Sequence, residues 1–204
     1  MLLSTMTTTA IKHTTGQLIV VISGPSGAGK DSVLQALLKR DRKLCFVVTT
    51  TTRPIRQDEI QGRDYYFVSH SDFERMIAAG EFVEHAVVYG DYKGITKKGI
   101  EQAIGSGCDV VLRVDVQGAA TIKSLYKQAV FLFLTPGSKD QLLMRLQSRK
   151  SETSNSIQER ITTAFEEYSR KDEFDYIIVN KRNDLGGTVD KIQAIIKRER
   201  EGVQ

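Results

Sequence analysis

The chain has 204 residues, 40% hydrophobic and 26% charged, with a formal charge of +4; this describes an ordinary soluble globular protein with one full core and room for a small insertion. Its longest apolar runs, such as Leu18 to Ile22, fall far short of the roughly 20 residues of a membrane span, and Met1 to Gly16 lacks the cationic start and apolar stretch of a signal peptide. The modest positive charge suits a phosphate-handling cleft and a nucleic-acid surface equally, so charge alone excludes neither.

The threonine-rich residues 1–16 read as a flexible tail. Leu18 to Ile22 is a short β-branched run stopped by Ser23-Gly24-Pro25, the pattern of a buried strand entering a turn. Asp31 to Arg40 follows, with Val33, Leu34, Leu37 and Leu38 on one helical face. Further strands are expected at Cys45 to Val48, Asp109 to Val114, Val130 to Leu134 and Tyr176 to Val179. Helical patterns at Lys98 to Ile104, Ala119 to Tyr126, Lys139 to Leu146 and Asp184 to Ile196 separate most of them. This alternation predicts an α/β fold whose parallel sheet is covered by helices on both faces. Cys45 and Cys108 are too few and too far apart for a disulfide framework or a zinc site, and both read as buried core thiols, which fits a reducing cytoplasm.

Two stretches break the alternation. Thr49 to Thr96 carries its own strands, at Tyr65 to Val68 and Phe82 to Val88, around a helix from Ser71 to Ala79, and reads as an inserted α+β subdomain. Lys150 to Asn155 is polar and aperiodic between two arginine-bearing helices, the pattern of a lid. The division expected is a core of residues 17–48, 97–144 and 169–204, an insertion of 49–96 and a lid of 145–168.

Chemistry enters at Gly24-Pro25-Ser26-Gly27-Ala28-Gly29-Lys30, which directly follows a strand and opens a helix. That is the context of a P-loop. Glycines let backbone N–H groups turn around phosphate oxygens, the helix presents its positive end, and Lys30 supplies a charge for the β- and γ-phosphates of ATP. The residue after the lysine is commonly Ser or Thr, whose hydroxyl meets Mg²⁺; here it is Asp31, followed by Ser32. Asp31 could hold the metal directly or through water, or only favour the helix N-terminus. The strand from Val110 ends in Asp115, the form of a Walker B carboxylate near Mg²⁺ or its waters. In the insertion, Arg53 and Arg56 could clamp a phosphate with the Tyr65 hydroxyl as a third donor, although R-x-x-R also suits a solvated basic loop.

With these features in order, the chain resembles guanylate kinases from Gln17 to the last helix. The resemblance rests on the phosphate loop, the Thr51-Thr52-Arg53 to Phe67 segment, Glu81-Phe82-Val83-Glu84, Gly90-Asp91-Tyr92-Lys93-Gly94 and Asp115-Val116-Gln117-Gly118. It implies transfer of the ATP γ-phosphate to GMP, with dGMP use as well, and makes residues 49–96 the GMP-binding part. It implies Mg²⁺ as cofactor, ATP and GMP as partners without nucleic acid or membrane, and a cytoplasmic monomer or homodimer. Arg53, Arg56 and Tyr65 match ligands of the GMP phosphate, and Glu84 matches the carboxylate that reads guanine N1–H and the 2-amino group. Adenine lacks that donor pair, so AMP would leave a buried carboxylate unpaired. Thr49 matches a base contact, and Gly94 and Asp115 fall in motifs of the GMP side. Arg145, Arg149 and Arg160 match lid arginines that close on the triphosphate, and Asn180 a position near adenine.

Some positions depart from the pattern: Lys93 replaces a tyrosine, Ile95 a Ser or Thr, and His85 a frequent tryptophan, while Arg113 stands where an aspartate is common. Phosphoryl transfer needs positioning and charge neutralisation more than a strong base, so these changes bear on affinity rather than reaction type. Two other readings stand beside this one. A non-catalytic interaction module of the same fold can lose the loop's lysine and glycines, whereas Gly24, Gly29 and Lys30 are all present. A kinase of another phosphorylated acceptor, such as ribose 1,5-bisphosphate, shares the Lys30-Asp31-Ser32 run but not the need for Glu84.

Overall fold

The computed structural model describes residues 16–88, 90–147 and 154–202, with the backbone alone for 154–157 and 159. The expected tail up to residue 15, the centre of the expected lid and Arg149 lie outside the described residues.

The larger sheet holds five strands in the order β2 (Leu44–Phe46), β7 (Asp109–Arg113), β1 (Ile19–Ser23), β8 (Val130–Thr135) and β9 (Tyr176–Val179), every neighbouring pair parallel. β1 and β8 are buried at every residue. Alternate β1 side chains face opposite layers, as a period of two requires. Val20 and Ile22 pack with Leu34, Leu37, Ile192 and Ile196, which come from α1 (Lys30–Arg40) and α7 (Leu185–Gly202). Ile19 and Val21 pack instead with Ile100 of α3 (Lys97–Gly105) and Ile122 of α4 (Val116–Leu125). Burying each such side chain contributes about 1.5–3 kcal/mol.

The smaller sheet has the order β4 (Tyr66–Phe67), β3 (Thr50–Thr51), β6 (Asp91–Thr96) and β5 (Phe82–Val88). β5 and β6 form an antiparallel hairpin, and Thr96 at its end caps α3 by accepting from the Gly99 N–H. The helix α2 (His70–Ala78) is capped by Ser69 and buries Phe73, whose ring stacks on Phe82 at 4.3 Å and on Tyr92 at 5.0 Å. The sequence pattern did not foresee β3 or β6. The stretch Asp91 to Thr96 contains Asp, Lys and Gly, all poor strand formers, and it is a strand because β5 pairs with it. Arginine-bearing helices α5 (Lys139–Gln147) and α6 (Ser154–Ser169) pack together through Leu142, Leu146 and Ala164.

One expectation is corrected. Cys45 and Cys108 are not separate core thiols but a disulfide, with Cα atoms 5.6 Å apart. They are 63 residues apart in sequence, yet β2 lies beside β7 with Cys45 paired to Val110, which brings residue 108 alongside. Both are only partly buried, so cysteine usage no longer argues for a reducing compartment. Among the described residues no helix is long and apolar enough to cross a membrane.

The stacked Phe73 supports the second sheet. Replacing it by alanine should cost about 3–5 kcal/mol in chemical denaturation, because three rings lose their common contact. A loss below about 1 kcal/mol would contradict that role.

Candidate active site

All strands of the larger sheet run the same way, so their carboxyl ends share one edge, where ligands of open α/β sheets bind. β1 ends there in the phosphate loop, β7 leads to Asp115 and β9 leads to Asn180. The glycines are required by space. A Cβ on Gly24 would lie 2.1 Å from the Leu134 carbonyl oxygen, and one on Gly29 2.4 Å from the Asn180 amide nitrogen, and both have positive φ. Gly29 precedes α1 without a side-chain cap, leaving the first N–H groups of that helix to an anion.

A single cleft is lined by Ser26, Gly27, Gly29, Lys30, Asp31 and Ser32 on the phosphate-loop side and by Thr49, Arg53, Arg56, Tyr65, Glu84 and Lys93 on the side of the smaller sheet. Asp115, Arg113, Arg160 and Glu167 complete the wall. The structure therefore brings together most residues marked in the sequence. Gly94 is not in the lining: it is buried, and a Cβ there would meet the Phe82 ring at 2.7 Å, so it serves packing. Ile95 is also wholly buried. His85 is exposed and sets its ring edge against Phe82.

Within the cleft, charged groups are held by one another. Lys30 Nζ donates to the carbonyls of Gly24 at 2.5 Å and Pro25 at 3.1 Å. Burial lowers its pKa, against the opposing pull of Glu167, Asp31 and Asp115. Arg53 makes a bidentate pair with Glu59, at 2.7 and 2.9 Å, and lies over the Tyr65 ring at 5.0 Å. Glu59 also accepts from the Arg56 backbone N–H. Thr49 donates its hydroxyl to the Arg113 carbonyl at 3.3 Å. Asp115 caps α4 by accepting from the Gly118 N–H at 2.8 Å. Arg113 donates to Asp31 at 2.5 Å. Burial would raise the Asp31 pKa, but Arg113 and Lys30 outweigh it and hold it below the usual range.

Arg145, of α5, is turned toward the back of the phosphate loop. It is not among the cleft-lining residues, and it donates to the carbonyls of Gly27 and Ala28 at 3.4 Å and of Asn180 at 2.6 Å. Asn180 in turn donates its amide to the Ala28 carbonyl at 2.8 Å and accepts from Thr188. Together they brace the outside of the phosphate loop.

Two carboxylates escaped the sequence reading. Glu59 lies inside the quoted motif, and its spacing from Arg53 and Arg56 was a signal available there. Glu167 of α6 accepts from the Ser26 N–H at 3.2 Å, across 141 residues, so no local pattern could mark it. Burial raises its pKa, with Lys30 pulling the other way.

Glu84 is 5% exposed, and its pKa is raised to about 8, by burial first and then by the negative charge of Asp115. It fits because residue 118 is glycine: a Cβ there would stand 2.7 Å from Glu84 Oε2. Near neutral pH the carboxyl is mainly protonated until something donates to it.

Comparison with known proteins shows which family the chain is similar to. A family model described as guanylate kinase matches residues 16–199. Guanylate kinase 2, chloroplastic/mitochondrial, of Oryza sativa subsp. japonica is 46% identical over 187 residues, covering 91% of this chain and 66% of that protein. The guanylate kinase of Clostridium tetani is 40% identical over 183 residues, covering 90% of this chain and 86% of that one. The crystal structure of guanylate kinase from Anaplasma phagocytophilum superposes with a TM-score of 0.74 at 30% identity, covering 92% of this chain and 88% of that one.

The raised Glu84 pKa has a stability consequence. Between the ordinary glutamate value of 4.5 and about 8 the folded chain keeps a proton that the unfolded chain has released. Its contribution is therefore complete below the lower value and lost as pH rises through the upper one. Denaturation midpoints of the chain and of Glu84→Gln should diverge as pH rises, the variant gaining. Parallel pH profiles would show that Glu84 titrates normally.

Proposed function

The chain belongs to the guanylate kinase family and phosphorylates GMP at the expense of ATP, and from that premise we propose how its own residues divide the work. The observation that carries the assignment is the placing of Glu84, Arg53, Arg56 and Tyr65 in one cleft with the phosphate loop. Glu84 reads the guanine edge: donation from N1–H and the 2-amino group favours its ionised form, so the proton it carries in the empty site leaves on binding. The Thr49 hydroxyl, beside it in the cleft, contacts the base. Arg53, Arg56 and Tyr65 hold the acceptor phosphate. The bidentate pair with Glu59 fixes the Arg53 guanidinium before substrate arrives, so less side-chain freedom is lost on binding. Lys93 adds a cation beside that phosphate, and burial together with Lys30 brings its pKa down to about 8.

On the donor side, backbone N–H groups of Ser26, Gly27, Gly29 and Lys30 surround the triphosphate. Lys30 exchanges the carbonyls of Gly24 and Pro25 for phosphate oxygens, and Glu167 yields the Ser26 N–H to the same anion. Arg160, with Arg149, neutralises charge on the transferred group. Arg145 acts through the loop it braces, and Asn180 borders the adenine side. Closing the cleft excludes water, which favours transfer over hydrolysis.

The residues present also fit Mg²⁺. Among the described residues there is no cluster of three or more metal-binding side chains. Mg²⁺ needs none, since it commonly keeps several waters and takes one or two carboxylates beside substrate phosphates. Asp31, Ser32 and Asp115 line the same cleft and supply such oxygens, directly or through water. Held there, Mg²⁺ would supply positive charge to offset that of the phosphates. The cytoplasm is the compartment this reading favours.

The test is ADP release with GMP, dGMP, AMP, UMP and ribose 1,5-bisphosphate as acceptors. GMP should be preferred, and Lys30→Ala should abolish turnover with every acceptor. Glu84→Gln should raise KM for GMP at least about tenfold while leaving KM for ATP within about twofold. Equal losses for both nucleotides would remove Glu84 as the guanine reader. Calorimetry in buffers of different ionisation enthalpy gives an independent check. GMP binding at neutral pH should release more protons from the unaltered chain than from Glu84→Gln.

A further inference from the structure

We propose that Asp31 and Arg113 form a strut that holds the Tyr65 ring against the start of the phosphate-loop helix, making Arg113 a positioning residue for the acceptor nucleotide. The fold places Asp31 and Arg113, 82 residues apart in sequence, in direct contact at 2.5 Å.

Three further contacts show what the pair supports. Arg113 Nη2 donates to the carbonyl of Asp64 at 2.9 Å. The Arg113 guanidinium lies 4.2 Å from the centre of the Tyr65 ring and 5.1 Å from that of Phe46. The side chain is rooted at the end of β7, in the rigid parallel sheet, and only 6% of it is exposed. Its far end grips the loop and ring that enter β4, in the acceptor-binding part. A planar guanidinium stacked on a ring holds its place only if its edge hydrogen bonds are satisfied. Asp31 at the start of α1 and the Asp64 carbonyl satisfy them. The chain thereby gains a fixed span from phosphate loop to Tyr65.

The same contact bears on Asp31. A carboxylate oxygen committed to a buried guanidinium is less available as a metal donor, which leaves Ser32 and Asp115 as the better placed oxygens around the phosphates. The inference rests on the reading of Tyr65 as a ligand of the acceptor phosphate, and the experiment separates the two.

GMP binding is measured by calorimetry, without ATP or Mg²⁺, for the unaltered chain, Arg113→Met, Arg113→Lys, Asp31→Asn, the Asp31→Asn/Arg113→Met double variant and Tyr65→Phe. Arg113→Met should weaken GMP about tenfold, and Asp31→Asn should weaken it less. The double variant should be no weaker than Arg113→Met, because a strut is lost only once. Arg113→Lys keeps the charge but not the planar fork and should also lose affinity, which keeps the test open if the methionine variant fails to fold. In steady state, Arg113→Lys should raise KM for GMP while leaving KM for ATP within about twofold. Fold-losses that multiply in the double variant would overturn the strut. So would an Asp31→Asn variant whose sole change is the Mg²⁺ concentration giving half the maximal rate. Weaker GMP binding by Tyr65→Phe with unchanged binding by both Arg113 variants would overturn the strut and keep the site. Unchanged binding by Tyr65→Phe would remove the ligand reading of Tyr65, and the strut's purpose with it.

Discussion

The structure depends on how closely the phosphate loop is pressed onto the strands behind it. Gly24 leaves no room for a methyl group before the Leu134 carbonyl, and Gly29 none before the Asn180 amide. A loop seated this tightly cannot drift, and it is the reference for everything else in the cleft. β7 and β8 flank β1 in the sheet, and β9 flanks β8, so Asp115 and Asn180 reach the loop through strand order alone. Arg145 and Asn180 then close the loop's outer side through its own carbonyls.

The cleft concentrates cations, and three of them are held by groups of this chain. Lys30 rests on two carbonyls, Arg53 on Glu59, and Arg113 on Asp31. The buried Glu167 takes an N–H of the phosphate loop. Such pairing lowers the cost of keeping several charges in a partly desolvated space. Substrate binding on this view is an exchange of partners rather than the arrival of anions at bare cations. The price of that arrangement is specificity of geometry: each exchange works only where the phosphate oxygens replace the internal acceptors in position.

The residues legible in the sequence are those whose role is fixed by near neighbours. The phosphate loop, the Arg53 to Tyr65 segment and the strands Ile19–Ser23 and Val130–Thr135 declare themselves through spacing and apolar runs. What escaped depends on contacts between distant segments. Glu167 meets Ser26 across 141 residues, Arg113 meets Asp31 across 82, and Cys45 meets Cys108 across 63. The strand Asp91–Thr96 has no strand pattern of its own and takes its conformation from the hairpin. The resemblance makes Arg145 a lid or helix arginine, and only the fold shows its guanidinium on the carbonyls of Gly27, Ala28 and Asn180.

Glu84 beside Gly118 has one more consequence. An ionised carboxyl offers acceptors only, which complements the paired donors of guanine. A neutral carboxyl offers one donor and one acceptor, which complements the N1 and 6-amino edge of adenine. Burial and the charge of Asp115 push Glu84 toward the second form in the free site. On the assignment of Glu84 as the base reader, a base that donates twice draws it back to the first, so recognition and the loss of a proton are one event.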